Sequence, residues 1–252
     1  MVLDFQPFWT WFLLFVRFSG VFTSMPGVGT EEVPLTFRMP LVIIIAAAIT
    51  MSGASAELPG TLAAGGLILA VEFLLGYLLG VIPALIISGL SLAGHLSATS
   101  IGLNQASVID PSLGEHVTTL GRIQTLIGVV LFLAIDGHHA VIRAAADIST
   151  DVGLGLFRPG EATAEIFLQR INQSFHLGIQ VAAPIIVVSL IAQFILGLIT
   201  KFVPQINVFI MSTPLTILVG LFVFGFTLPE MVRHVDREYS AIQEVAYQFM
   251  SK

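Results

Sequence analysis

The densest set of reactive side chains in this sequence is Asp136-Gly137-His138-His139. Two kinds of chemistry suit it. Imidazoles and a carboxylate are metal ligands, and a histidine beside a carboxylate can pass protons near neutral pH. The spacing argues against a metal. Adjacent histidines on a helix point about 100° apart. Asp136 and His139 lie three apart and could share a face, but no further ligand-spaced set follows. No metal and no cofactor are therefore expected. The competing reading is a helix break that places polar groups at a contact between subunits.

Glu72 is the second candidate, because it sits between apolar runs. A carboxylate at membrane depth is costly unless it is paired or wet. It reads either as an ion or proton relay or as a structural group, half of a pair or a helix end at the interface. Gly76 and Gly80, four apart on one helical face just beyond it, have the small-residue spacing of close helix packing. Arg17 and Arg38 join Glu72, Asp136 and His138 as a candidate intramembrane polar network. The motifs Gly-x-Ser-x-Gly, His-Glu-x-x-His and Gly-x-x-x-x-Gly-Lys do not occur, and Gly153 and Gly155 follow no strand signal. An enzyme is not expected.

The elements that must position these residues are set by composition. Of the 252 residues 56% are apolar and 10% charged, and mean hydropathy is +0.95. The stretches Phe73 to Ile109, Ile171 to Thr200 and Phe202 to Pro229 contain no Asp, Glu, Lys or Arg. About 18 such residues suffice for a membrane-crossing helix, so the chain is expected to be an integral membrane protein. Met1 to Leu14 has no basic region and no cleavage pattern follows, so the apolar segments are expected to be retained. There are no cysteines, which excludes disulfides and thiolate chemistry. The net charge of −6 and the lack of a basic stripe argue against nucleic acid.

The expected elements are helices throughout, in a single membrane domain over 1–252 with a charged amphipathic tail from 230 to 252. Phe8 to Val21 is followed by the break Met25-Pro26-Gly27. Met39 to Met51 follows, with Pro40 in its first turn, then Thr61 to Ser88 with Pro83. Gly89 to Ser107 is rich in small and hydroxylic residues and reads as packed on protein or lining a wet path, not as facing lipid. Val108 to Glu115 is a loop, with Asp110-Pro111 and Gly114. Leu120 to Ala146 holds the Asp136 cluster. Glu161 to Ser174 is amphipathic, and Phe175 to Ile199 carries Pro184. The polar turn Lys201 to Asn207 joins it to Val208 to Phe226, which carries Pro214, and Pro229 ends that hairpin.

These punctuation marks, in this order, resemble the FliR family of flagellar biosynthetic proteins, which has relatives in type III secretion. The carrying residues span nearly the whole chain. They are Arg17 with Met25-Pro26, Val33-Pro34 and Arg38; Glu72 with Gly76 and Gly80; Asp110-Pro111; and Phe132 with Asp136-Gly137-His138. Gly178, Ala183-Pro184, Gly197-Leu198, Pro204, Asn207-Val208-Phe209, Pro214-Leu215 and Gly220 complete the set. The resemblance implies an all-α polytopic protein of long, kinked helical hairpins. It implies packing with FliP-like and FliQ-like membrane subunits, contacted by an FlhB-like subunit, into a closed export gate raised partly above the bilayer. Unfolded flagellar subunits would pass through it, at the flagellar basal body in the bacterial inner membrane.

The resemblance also implies a pore plug near Ala106 to Glu115, with Val108, Ile109 and Leu113 as its apolar bulk beside Asp110 and Pro111. Relatives often place phenylalanine there and this sequence does not. Three alternatives stay open: a virulence-type secretion gate, a small-solute or ion permease coupled through Glu72 and Asp136, and an intramembrane enzyme using Asp136 and His138.

Overall fold

The structure is a computed structural model that describes residues 5–29, 33–103, 119–151, 153–202 and 208–240. Among the described residues there are seven α-helices and no strand. They are α1 (Gln6–Ser24), α2 (Leu35–Met51), α3 (Leu62–Ile101), α4 (Thr119–Ala134), α5 (Gly137–Asp151), α6 (Glu161–Phe202) and α7 (Val208–Ser240). The protein is an all-α polytopic membrane protein. α3, α6 and the Ser212–Ser240 part of α7 are each long and apolar enough to cross a bilayer, and α4 with the first part of α5, bent by 60°, forms either a broken span or a re-entrant loop.

Prolines mislead the sequence reading at two places. α2 begins at Leu35 rather than Met39, so Pro40 lies inside it. Its ring removes only the bond to the Thr36 carbonyl, and the flanking turns carry the helix. α7 runs through Pro229 to Ser240 instead of ending there. Pro83 lies inside its helix as expected, and that helix runs on past Ser88 as a continuous α3 of 40 residues. Glu161 to Ser174 and the apolar run after it form one helix, α6, of 42 residues with Pro184 inside. Conversely, Leu120 to Ala146 is not one helix but breaks at Ile135 and Asp136.

Contacts gather the chain into two compact units. The first comprises Met1–Leu85, Phe132–Ile171 and Glu238–Lys252. In it α1 packs against α2 and α5. The buried positions of α1 include Leu13, Leu14, Arg17, Phe18, Val21 and Phe22. Their spacing of three and four traces one helical face. Arg17 lies on the buried stripe, not on the polar side. α1 and α3 cross in the same sense at glycines. A methyl group on Gly76 would strike the Arg17 carbonyl, and one on Gly20 the Phe73 carbonyl. Further along, the Ser24 hydroxyl donates to the Tyr77 carbonyl at 2.9 Å.

The second unit comprises Ile86–Leu131 and Asn172–Arg237. Its core joins Ala98, Ile101, Leu120, Ile185 and Phe224, with Val223 and Leu228 against it. Small residues again set the spacing. Gly94 of α3 lies on Gly121 of α4, and Gly89 on Ser174 of α6. The small-residue face expected to pack on protein does so: Ala93, Gly94, Ser97 and Ala98 are buried. A largely apolar cavity of about 690 Å³ opens between α6 and α7, lined among others by Val181, Pro184, Phe226 and Met231.

Candidate functional site

A fully buried ion pair is built on α1 and α3. Arg17 Nε donates to Glu72 Oε2 at 2.6 Å, and both side chains are 0% exposed. Arg17 Nη1 donates to the Ala145 carbonyl of α5 at 3.1 Å. The other Glu72 oxygen, Oε1, accepts from the Gly155 backbone N–H at 2.8 Å. One ion pair thus ties three helices and a loop of the first unit. Glycine makes the loop possible: Gly153 and Gly155 have φ of 78° and 82°, a left-handed backbone that other residues adopt at a cost. Arg17 Nη2 is buried and finds no partner among the described residues.

A buried pair of this kind is held by geometry. Removing two charges from water is expensive, and attraction offsets the cost only when the remaining lone pairs and protons are also matched. Here both carboxylate oxygens and two of the three guanidinium nitrogens are matched. Of the two readings of Glu72, the geometry fits the structural pair.

The other members of the expected network fall elsewhere. Arg38 donates to the Val33 carbonyl at 2.7 Å and the Gly29 carbonyl at 3.0 Å, clasping the segment before α2. Asp136 lies in the break between α4 and α5 with φ of 58°, the one non-glycine residue with positive φ among the described residues. His139 Nδ1 lies 3.1 Å from Asp136 Oδ1. The rings of His138 and His139 do not diverge as helix spacing suggests, since their centroids are 4.1 Å apart. Phe132, fully buried, presents its ring edgewise to His138 with centroids 6.5 Å apart.

Val108, Ile109, Asp110, Pro111 and Leu113 lie outside the described residues, as does most of the turn expected from Lys201 to Asn207. Sequence reasoning missed Gly155 and the Ala145 carbonyl. The only signal for Gly155 was its pairing with Gly153. It also passed over Gln124, fully buried on α4 with neither amide atom bonded among the described residues.

Comparison with known proteins extends over the same residues. The pattern of the family described as "Bacterial export proteins, family 1" matches residues 8–242. The flagellar biosynthetic protein FliR of Caulobacter vibrioides is 28% identical over 218 residues, 86% of this chain and 87% of that protein. FliR of Aquifex aeolicus is 28% identical over 221 residues, 87% of this chain and 85% of its own length. The Yop proteins translocation protein T of Yersinia pestis is 23% identical over 173 residues, 68% of this chain and 66% of its own.

Proposed function

Because the chain belongs to the bacterial export proteins of family 1, we propose that it is a subunit of the flagellar type III protein export gate. With FliP-like and FliQ-like membrane subunits it forms a closed channel for unfolded flagellar proteins, contacted by an FlhB-like subunit, in the bacterial inner membrane. It binds, seals and opens rather than catalyses. The observation that carries this reading is the extent of the match, which runs from 8 to 242 and includes Arg17, Glu72 and Asp136.

Two physical features support it. The helices present much apolar surface to the outside, as at Leu35, Phe37 and Ile44 of α2 and Leu190, Phe194 and Phe202 of α6. Sister subunits or lipid must cover it. The rigid Arg17–Glu72 tie suits a subunit that keeps its shape while cargo passes. In this reading Val108, Ile109, Asp110, Pro111 and Leu113 form the plug, since an apolar constriction can close a narrow pore by dewetting.

The flagellar reading is preferred to the virulence-type one because the FliR relatives align over 86% and 87% of the chain, against 68% for the Yersinia protein. The test is co-purification. The tagged chain, expressed with its neighbours, should bring down two small hydrophobic membrane proteins, and expressed alone it should be polydisperse. A stable isolated monomer that transports a solute in liposomes would overturn the assembly reading in favour of a permease.

A further inference from the structure

We propose that Asp136, His138 and His139 form a binding site for a divalent transition-metal ion of the zinc type. One ligand atom from each of the three lies within 4.8 Å of the others. Around a single zinc ion, with metal–ligand distances of about 2.0–2.1 Å, such atoms lie roughly 3.3 Å apart. Small side-chain rotations close that difference.

Three further observations point to a ligand. The first is the pair of imidazoles at 4.1 Å between centroids, tilted by 35°. That contact holds both rings beside the Asp136 carboxylate, within a small rotation of presenting one nitrogen each to a common ion. The second is His138 Nδ1, which is buried and has no hydrogen-bond partner among the described residues. The third is the positive φ of Asp136, a conformation uncommon outside glycine that collects at functional sites. That backbone aims the carboxylate at the first turn of α5, where His139 already meets it at 3.1 Å.

The surroundings suit an ion that enters and stays. His139 and Asp136 are 60% and 74% exposed, which gives access, while Phe132 backs His138. Gly137 presses on the Phe132 ring, where a Cβ would come within 2.6 Å of its edge, so the turn between the ligands is fixed. Two imidazoles and a carboxylate favour zinc, nickel or copper over calcium or magnesium. Three protein ligands leave a fourth position for water or a group from outside the chain. The ion would clamp the break at Ile135 and Asp136.

The test uses the full chain in its assembled form, carrying no polyhistidine tag, titrated with Zn²⁺ by calorimetry and with Co²⁺ by visible absorption. One ion per chain is expected, with a cobalt spectrum of nitrogen and oxygen ligation. His138→Ala/His139→Ala should lose it, and Asp136→Asn should weaken it. His176→Ala and His234→Ala should leave it unchanged. Should the double variant fail to assemble, His139→Ala alone decides, because its side chain is mostly exposed. Absence of binding by the native chain, retention of the ion in the His139 variant, or loss of it in the His176 or His234 variant would each overturn the site.

Discussion

Arg17 and Glu72 stand 55 positions apart in the sequence and meet at 2.6 Å, with neither side chain reaching solvent. Their partners are directional. The Ala145 carbonyl can only accept, and the Gly155 N–H can only donate. The pair is therefore fixed in sense as well as in charge.

Breaking it should cost about 3–5 kcal/mol, the usual consequence of stranding one buried charge. Glu72→Gln and Arg17→Met should each lower the yield of assembled protein and its resistance to graded heating in detergent. Joint Arg17→Met/Glu72→Leu should be milder than either, since no bare charge remains. The reversed pair Arg17→Glu/Glu72→Arg should not rescue, because it opposes an acceptor to the Ala145 carbonyl and a donor to the Gly155 N–H. Full rescue by the reversed pair would mean that only net charge counts.

Gly76 and Gly66 offer a paired test of the helix crossing. A Cβ at Gly76 overlaps the Arg17 carbonyl, whereas one at Gly66 meets nothing within 4 Å in this chain. Gly76→Ala should push α1 from α3 and lower the thermal midpoint. Gly66→Ala should be neutral or stabilising, by up to about 1 kcal/mol from helix propensity. Equal midpoints for the two variants would refute the close crossing.

Deleting residues 108–113 should leave assembly largely intact and make the membrane leaky to ions or small solutes. Replacing Val108 and Ile109 with glycine should do so more weakly. Conductance of the reconstituted gate is the measurement. Loss of assembly without a leak would make this segment a connector.

The chain contains no cysteine, so Gln205→Cys is a single-site reporter. The polar cluster Lys201, Gln205 and Asn207 predicts that this turn lies in water. A membrane-impermeant maleimide should label it. Protection in both the free and the assembled protein would defeat the placement.

What the sequence conveyed depended on range. Apolar runs give their helices away within a few turns, and so α3, α6 and α7 were expected in outline. Their true lengths were hidden where composition changes, at Gly89 in α3 and Phe175 in α6, and at Pro229 in α7, where a single missing hydrogen bond reads locally as an end. Glu72 was recognised as an anomaly and Arg17 as a neighbour in kind. Nothing in a linear spacing could name the Ala145 carbonyl or the Gly155 N–H, since backbone groups leave no mark on residue identity. The Asp136 cluster was noticed by its residue types, but the left-handed backbone at Asp136, with φ of 58°, leaves no mark on the sequence.

α6 is one continuous helix of 42 residues, from Glu161 to Phe202, with Pro184 inside it. At about 1.5 Å per residue it is about 63 Å long, roughly twice the ~30 Å of a bilayer's hydrocarbon. Its apolar stretch comes second, after a first third holding Glu161, Glu165, Gln169 and Arg170. One hydrocarbon thickness therefore accounts for only part of this helix, and its polar first third needs water or a polar partner to face.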